Sequence, residues 1–411
     1  MDIAKRVREG RTRLALLWMQ LAGEPLVALR SALFPFILYK DFGASAAQLG
    51  LFCAIRPLIS ILSFYWSSNL GARRDKLVSN LMGAWVLARL PFLFIPFANG
   101  VWYFFLAEAT YWLFDRAQAP ALMEILKLNL SKERRHKAFS WSLALKFIES
   151  IFLGLLFAAL LSHNANAWRG LIGFMTLISM SSVLVQRRIV LPEGVERVEV
   201  KKLSIKERVV GPWIKSLDLI KRRPDFARFQ WGFMISGFGL MLAIPAITIF
   251  TADVLSVTHA NVAVARNVLM AIGVVISTVF WHRALSKIEP IKLLGFVAIG
   301  FTCYLFSILM AQMAFSYYFV ALLIYGIAQA GSHLLWNLSG PLYAKDEDSS
   351  QYTMVSILSV GLRGAVAPQL GGLLCAWLGA SNVLILGGLI IGCGALMSLS
   401  PRLVPFSDTK A

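Results

Sequence analysis

Long apolar stretches recur from one end of this chain to the other, and they restrict its fold more than any other feature. Twelve of them approach or exceed the roughly 20 residues that a helix needs to cross a hydrocarbon core of about 30 Å. Lipid offers no hydrogen-bond partners, so each stretch has to satisfy its backbone polar groups internally, as a helix. The predicted spans are 14–39, 47–70, 78–97, 101–123, 138–161, 168–186, 227–251, 260–281, 291–312, 315–343, 352–378 and 382–400. The chain is therefore predicted to be an all-α membrane protein with twelve transmembrane helices.

The composition agrees with a membrane protein and argues against a metal or cofactor site. Hydrophobic residues make up 58% of the 411 residues and charged residues only 15%, far from the averages of soluble domains. The four cysteines lie inside predicted spans without C-x-x-C spacing, and nucleotide-binding, metalloprotease and serine-hydrolase motifs are not found. No cofactor and no metal is therefore expected.

The first apolar stretch contains Glu24 and Arg30, unlike a cleavable signal peptide, so it is expected to stay in the protein.

Basic residues are distributed very unevenly between the two sides of the predicted spans. Thirty of the forty Lys and Arg residues fall on one side, and only Lys40 and Arg169 fall on the other. Because basic loops resist translocation, both termini are predicted to be cytoplasmic, in a bacterial inner membrane. This asymmetry accounts for most of the net charge of +18, so no nucleic-acid partner is expected. The expected partners are the lipid bilayer and a small-molecule substrate, and a monomer is expected to suffice.

A charged connection divides the twelve spans into six and six. The predicted domains are an N-terminal six-helix bundle (1–190), a cytoplasmic linker (191–226) and a C-terminal six-helix bundle (227–411). The linker contains nine basic and six acidic residues, and its apolar residues with roughly helical spacing are Val209, Trp213, Ile214, Leu217 and Ile220. Two interpretations stay open. Part of the linker lies along the membrane surface, or the linker is a solvated tether with one amphipathic turn.

The two halves show a weak internal repeat. Shifting the chain by 210 residues aligns Arg56 with Arg266 and Pro35 with Pro245. The number of identities is close to chance, but an intramembrane arginine and a proline late in a helix are rare. The two bundles are therefore predicted to be related by pseudo-two-fold symmetry.

Several segments carry a resemblance to a known family. "FGASAAQLGLF" leads into the second span, "SSNLGARRDK" follows it, and "KRRPDFARFQWGF" leads into the seventh. Together with the six-plus-six spans, they resemble the major facilitator superfamily of secondary transporters over essentially the whole chain. The loop motif departs from the family pattern, since Ser or Asn replaces the acid expected before Gly71, Arg73 and Arg74. The resemblance implies transport by alternating access and identifies no subfamily.

Charged side chains inside the spans carry the functional prediction, because an ionised group in hydrocarbon is costly unless it meets a partner or water. At 1.5 Å per residue, one layer of similar depth contains Arg30, Arg56, Arg89, Glu108 and Arg266. In one interpretation each arginine extends to lipid headgroups, above all Arg89, since third spans are usually peripheral in the family that the chain resembles. In the other, Arg56 and Arg266 face a central cavity and bind an anion. Arg30 belongs to the same predicted binding layer.

A second charged layer lies in the inner half of the first six spans. Four side chains match in calculated depth and are expected to form ion pairs that hold this half together: Asp115, Arg116, Lys146 and Glu149. The alternative is that Asp115 or Glu149 exchanges a proton during transport. Glu24 lies near the midplane, on a span that lines the cavity in the family that the chain resembles. It is therefore predicted to carry the coupled proton.

In the C-terminal half, Arg363 lies near mid-depth without an acidic residue nearby in sequence. Gln329, His333, Trp336 and Asn337 recur at three- and four-residue spacing in the tenth span, hence on one helix face. A polar stripe on a transmembrane helix has to face protein or water rather than lipid. These residues are predicted either to pack against other helices or to bind substrate together with Arg363.

The predicted function is secondary active transport of a small anionic solute by alternating access, coupled to protons. One alternative within transport is efflux of amphipathic compounds or lipids. An alternative from a different class is a polytopic membrane enzyme, such as an acyl- or glycosyltransferase. Such an enzyme needs a cluster of acids or histidines in a loop at the interface, and the external loops are short and nearly free of them. The chain is therefore not expected to be an enzyme.

Overall fold

The structure is a computed structural model that describes residues 3–72, 74–192, 204, 207, 209–344 and 347–400. Arg73 of the loop motif and most of the linker from 193 to 208 lie outside the described residues. The described part is almost entirely helical. Its helices in chain order are α1 (Ile3–Lys40), α2 (Ala46–Ala72), α3 (Leu77–Arg89), α4 (Val101–Asn129), α5 (Lys132–His163), α6 (Trp168–Gln186), α7 (Gly211–Arg222), α8 (Pro224–Ile249), α9 (His259–Ala263), α10 (Met270–Leu285), α11 (Pro290–Met310), α12 (Ser316–Ala344), α13 (Ser349–Leu378) and α14 (Ala380–Leu399).

Six long helical segments precede α7 and six follow it, so the prediction of a twelve-helix, all-α membrane protein is confirmed. α9 and α10 form one of these segments because a π-helical turn, Val264–Leu269, joins them. A second π-helical turn, Phe250–Val254, extends α8, and a 3-10 helix, Leu90–Phe97, extends α3. Most predicted ends lie within a few residues of the observed ones. The largest difference is at α1, which begins at Ile3 rather than at residue 14.

Ten segments in the described part of the chain are long and apolar enough to cross a membrane. α4 is not among them, because Glu108, Asp115 and Arg116 fall within a single membrane-crossing length of it. α2 contributes only a shorter apolar part, Ala46–Ile61. Glu108 is buried inside the protein, which is where a charge on a membrane helix is tolerated.

Local sequence sets the ends of several helices. The side chains of Ser131, Thr258 and Asp348 accept hydrogen bonds from backbone N–H groups in the first turns of α5, α9 and α13. Such caps satisfy donors that have no partner within the helix. Pro224 and Pro290 begin α8 and α11, at the position where the missing N–H of proline costs nothing.

The chain packs as two compact units. Unit 1 consists of Met1–Phe34, Ile59–Lys202 and Thr258–Asn267, and unit 2 consists of Pro35–Leu58, Leu203–Val257 and Val268–Ala411. Each unit thus includes a short segment from the other half of the sequence. The division predicted from the sequence, with a linker at 191–226, stays a prediction.

The apolar core of unit 1 joins α1, α3, α4 and the residues that follow α6. Its buried members are Ala15, Met19, Leu77, Leu81, Trp85, Ala121, Ile125 and Ile189. The indole Nε1 of Trp85 also donates a hydrogen bond to the Ser179 carbonyl oxygen at 2.8 Å, which ties α3 to α6. These contacts fix the helices that carry the charged residues of unit 1.

Helices of unit 2 approach one another closely through glycines. A Cβ atom at Gly50 would lie 2.5 Å from the Pro368 carbonyl oxygen, and one at Gly239 would lie 2.7 Å from the Gly387 carbonyl oxygen. No side chain fits in so short a gap, and such small-residue contacts are common between transmembrane helices. They bring α2 against α13 and α8 against α14.

Arg223, which lies between α7 and α8, forms several hydrogen bonds at a polar end of unit 2. Its Nε and Nη2 donate to the two carboxylate oxygens of Asp225 at 3.1 and 2.9 Å. Its Nη1 donates to Glu347 at 3.2 Å, and its Nη2 donates to the Tyr343 carbonyl oxygen at 2.9 Å. The hydrogen bonds with Asp225 raise the pKa of Arg223 above its ordinary value. Arg223 thereby fixes the start of α8 to the connection between α12 and α13.

Candidate functional site

Arg30 and Glu108 form a buried ion pair inside unit 1. Nη1 of Arg30 donates to Glu108 Oε1, and the exposed fractions of the two residues are only 4% and 7%. The guanidinium carbon also lies 4.0 Å from the centre of the Tyr111 ring, and Trp112 Nε1 donates to the same Glu108 oxygen at 2.7 Å. The sequence placed Arg30 and Glu108 at the same depth but did not pair them. The charge of Arg30 is thus balanced within the protein.

Arg89 is buried, with an exposed fraction of 2%. The expectation that it extends to lipid headgroups is wrong. Its Nε donates to Ser179 Oγ at 2.6 Å, its Nη1 donates to the Trp85 carbonyl oxygen at 3.2 Å, and its guanidinium lies over the Trp85 ring. α6 and the indole of Trp85 therefore give this arginine acceptors and a stacking surface inside the protein. The acceptor on α6 lies 90 residues away in sequence, so sequence spacing gave no sign of it.

Glu24 is buried on α1 and faces Lys146 of α5. The distance from Glu24 Oε2 to Lys146 Nζ is 4.0 Å, and Gln20 donates to the same oxygen at 3.4 Å. Glu149 lies one turn beyond Lys146, and its Oε2 is buried without a hydrogen-bond partner in the described structure. Lys146 is thus paired with Glu24, and Glu149 follows three residues later on the same helix. The proton-coupling roles of Glu24 and Glu149 stay predictions.

Asp115 and Arg116 are oriented differently from one another on α4. Asp115 Oδ1 accepts a hydrogen bond from Gln118 at 2.7 Å, while Arg116 is exposed and lies 5.9 Å from the centre of the Trp112 ring. The sequence predicted ion pairs among these two residues, Lys146 and Glu149, whereas the salt bridge observed for Lys146 is the one with Glu24 on α1. The proton-exchange role considered for Asp115 stays a prediction.

Arg363 is a buried arginine of unit 2, with an exposed fraction of 7%. Its Nη1 donates to the Phe233 carbonyl oxygen, and its guanidinium carbon lies 4.1 Å from the centre of the Phe233 ring. Its Nε is buried without a hydrogen-bond partner, and among the described residues no carboxylate forms an ion pair with it. The guanidinium occupies the space that a Cβ at Gly237 would fill. Arg363 is therefore a desolvated cation whose charge no described acid balances.

The polar stripe of α12 reaches the same region of unit 2. Gln329 Nε2 and His333 Nε2 lie 3.0 Å apart, as their four-residue spacing predicts. The ring of Trp336 lies 6.1 Å from that of Phe233, the residue on which Arg363 stacks. The remaining member, Asn337, is exposed. Phe233 thus connects the stripe of α12 with the buried cation of α13.

Arg56 and Arg266, which the repeat relates, lie in different units, and their approach across a cavity stays a prediction. Arg56 is exposed on α2, and the next residue, Pro57, contacts Gly364 of α13, where a Cβ would lie 2.5 Å from the proline ring. α2, which carries Arg56, and α13, which carries Arg363, are therefore in contact at the residues that follow the two arginines. The sequence did not predict this neighbourhood, because nothing in the spacing relates α2 to α13.

Arg266 lies in the π-helical turn between α9 and α10 and is half-buried. Ser150 Oγ of α5 donates to the Asn267 carbonyl oxygen at 3.2 Å, so the turn is held by unit 1. A π-helical turn frees carbonyl oxygens from the regular pattern and often occurs at functional sites. The sequence predicted a continuous helix here and missed this irregularity.

Comparisons with known proteins agree with this architecture. The family profile described as Major Facilitator Superfamily matches residues 27–368. The crystal structure of the nucleoside transporter NupG matches with a TM-score of 0.68 and 9% identity, over 94% of this chain and 97% of its own. A bacterial homologue of the human lysosomal transporter Spinster gives 0.65 and 14%, over 95% and 96%. A D-xylose-proton symporter gives 0.67 and 15%, over 96% and 98%. At these identities the solved structures show the fold alone, and no curated protein sequence matches the chain.

Proposed function

The chain belongs to the major facilitator superfamily, and we propose that it is a transporter whose solute is a small anion. Secondary transport across a membrane is the activity that the family and the twelve-helix fold support. The anionic character of the solute rests on one observation, the unbalanced charge of Arg363. We propose in addition that transport proceeds by alternating access and is coupled to protons.

The energetics of burial separate Arg363 from Arg30. Taking an ionised side chain out of water costs several kcal/mol, and a nearby opposite charge with good hydrogen bonds repays that cost. Glu108 provides that opposite charge for Arg30. Arg363 has one carbonyl acceptor and an aromatic ring but no described carboxylate. An anionic substrate would supply the missing charge.

One edge of the Arg363 guanidinium has no described acceptor. Nη1 is used by the Phe233 carbonyl oxygen, whereas Nε has no partner and Nη2 has none among the described residues. A guanidinium binds carboxylate or phosphate through two parallel N–H groups, and the edge formed by Nε and Nη2 has this geometry. A carboxylate or a phosphate on the solute is therefore the group that we propose Arg363 binds.

The other proposed binding residues would add positive charge or contact the uncharged part of the solute. Arg56 lies on the helix that touches α13, and Arg266 is its partner in the repeat. Gln329, His333, Trp336 and Asn337 are proposed to contact the uncharged part of the solute. Arg30 is the weakest member of the proposed set because Glu108 already balances its charge.

Alternating access would require contacts at one end of unit 2 to open. Tyr39 at the end of α1 donates to Asp253 Oδ2 at 2.5 Å, and Lys40 Nζ donates to the Val257 carbonyl oxygen at 2.7 Å. Together with the contact of Gly50 and Pro368, these bonds join the α1–α2 hairpin to α8 and α13. In the proposed cycle the hydrogen bonds of Tyr39 and Lys40 would form and break. The basic side of the spans is proposed to be cytoplasmic, in a bacterial inner membrane, with the monomer as the working unit.

A binding screen on the purified wild-type protein tests the anion proposal. Small carboxylates and organic phosphates are expected to raise the melting temperature, because a ligand that binds the folded state stabilises it. Neutral and cationic compounds of similar size serve as controls and are expected to have no effect. Stabilisation by cationic amphiphiles, with none by anions, would overturn the proposal and favour efflux of amphipathic compounds or lipids. Conversion of an acyl or glycosyl donor by the protein would instead favour the membrane enzyme.

Replacing Glu24 by Gln tests the proton coupling. With an anion from the screen as the labelled solute, we expect pH-driven accumulation in liposomes to be lost and exchange to be largely kept, because an amide cannot release a proton. The control is Glu289→Gln, which changes an exposed carboxylate paired with Lys292 at 3.1 Å and should leave accumulation unchanged. Normal accumulation by Glu24→Gln would remove Glu24 from the coupling mechanism.

A further inference from the structure

α7 has three different faces, and we infer that one of them binds the phospholipid surface of the membrane. The helix consists of 12 residues, Gly211–Arg222, in the connection between the sixth and seventh membrane-crossing segments. The bound group would be the headgroups and the first acyl carbons of the leaflet next to the basic loops. This inference does not depend on the proposed substrate.

The first face of α7 packs on the protein. Pro212, Ser216 and Leu219 are buried, and at about 100° per residue they share one arc of the helix. The helix as a whole contacts α13 and α8 of the same unit. This packing fixes the rotation of α7, so the direction of its other faces is set.

The second face is apolar and exposed. Ile214 and Leu217 are 61% and 59% exposed, Val210 before the helix is also exposed, and Trp213 is partly so. These four side chains lie within an arc of about 100°, away from the protein-facing arc. An exposed apolar arc on a basic helix is typical of helices that lie in the membrane interface.

The third face is polar. One cation, Lys221, lies outside this face. Asp218 and Arg222 form a salt bridge of 2.9 Å on the exposed side, and Lys215 lies next to them on the helical projection. Lys221 lies within the apolar arc, where its long stem lets the ammonium reach lipid phosphates. The helix thus combines insertion of apolar groups with attraction to anionic headgroups.

The position of α7 in the chain selects lipid over other partners. α7 ends at Arg222, and α8, which crosses the membrane, begins at Pro224. The end of α7 is therefore next to the end of α8 that is proposed to enter the bilayer. An apolar face at that level meets phospholipid before it meets a second copy or a soluble protein.

Nitroxide labels on the full-length protein in liposomes test this inference. Cys53, Cys303, Cys375 and Cys393 are first replaced by Ser or Ala, and single cysteines are then placed by Leu217→Cys or Asp218→Cys. The two positions are matched, because both are exposed, with fractions of 59% for the residue Leu217 and 58% for the side chain of Asp218, and they are adjacent in sequence. The liposomes consist of phosphatidylcholine with or without phosphatidylglycerol.

The label at position 217 is expected to collide with oxygen at least about threefold more often, relative to a water-soluble nickel complex, than the label at 218. Replacing Lys215, Lys221 and Arg222 by Gln should shift the label at 217 toward the water phase in liposomes with phosphatidylglycerol. Equal access of nickel to both labels would overturn the inference. Spin–spin broadening at 217 that disappears on dilution with unlabelled protein would also overturn it, in favour of a second copy.

Discussion

Replacing Arg363 by Met weakens anion binding by about 2 to 5 kcal/mol, on the order of 30- to several-thousand-fold, if Arg363 holds the charged group of the solute. Methionine keeps much of the buried volume and removes the cation. The empty protein should not lose stability to the same degree, because the wild type already bears the cost of an unbalanced buried charge. Titration calorimetry with an anion from the screen measures the binding, and thermal unfolding measures the stability.

Arg363→Lys separates charge from geometry. An ammonium keeps the charge but cannot form two parallel hydrogen bonds, so we expect weaker binding than in the wild type and stronger binding than in Arg363→Met. Equal affinity in the wild type and in Arg363→Met would contradict the role of Arg363 and leave the anion proposal without its main support.

Gly237→Ala provides a variant that keeps Arg363 itself. The new methyl group would occupy the position of the guanidinium, so the side chain of Arg363 has to move and anion binding should weaken. Gly83→Ala is the matched control, since a Cβ at Gly83 meets nothing within 4 Å. Normal binding by Gly237→Ala would show that the position of the guanidinium is not critical.

Replacing Glu108 by Gln lowers the free energy of unfolding by about 3 to 5 kcal/mol, because the change leaves Arg30 buried and unpaired. Glutamine keeps the size of the side chain and an acceptor for Trp112, so the change isolates the charge. Denaturant titration of the protein in detergent micelles measures the effect. A loss below about 1 kcal/mol would contradict the strong dependence of Arg30 on Glu108.

Two controls make the Glu108 result specific. Glu289→Gln breaks an exposed pair with Lys292 and is expected to cost at most about 1 kcal/mol. The double variant Arg30→Met, Glu108→Leu removes both buried charges together. It should be more stable than Glu108→Gln, because an apolar pair of similar volume does not bear the desolvation cost of a lone ion.

The sequence by itself determined the twelve helices and several relations within one helix. Lipid forces an apolar stretch of sufficient length to form a helix, so the ends of α12 and α14 follow closely from hydropathy alone. The spacing of Gln329 and His333 placed them on one face, and the structure brings them into contact. The exposed apolar residues of α7 were also recognisable from their spacing in the linker.

Only the tertiary structure decided which charges pair. A rise of 1.5 Å per residue gives the depth of Arg30 and Glu108, but the rotation of each helix and the choice of its neighbours come from packing of the whole chain. Packing therefore paired these two residues across 78 positions of sequence. Packing also buried Arg89, for which one interpretation of the sequence predicted contact with lipid headgroups. It also left Arg363 without a described acid. The side chains around Arg363 belong to other helices, and the sequence near Arg363 does not tell which helices those are.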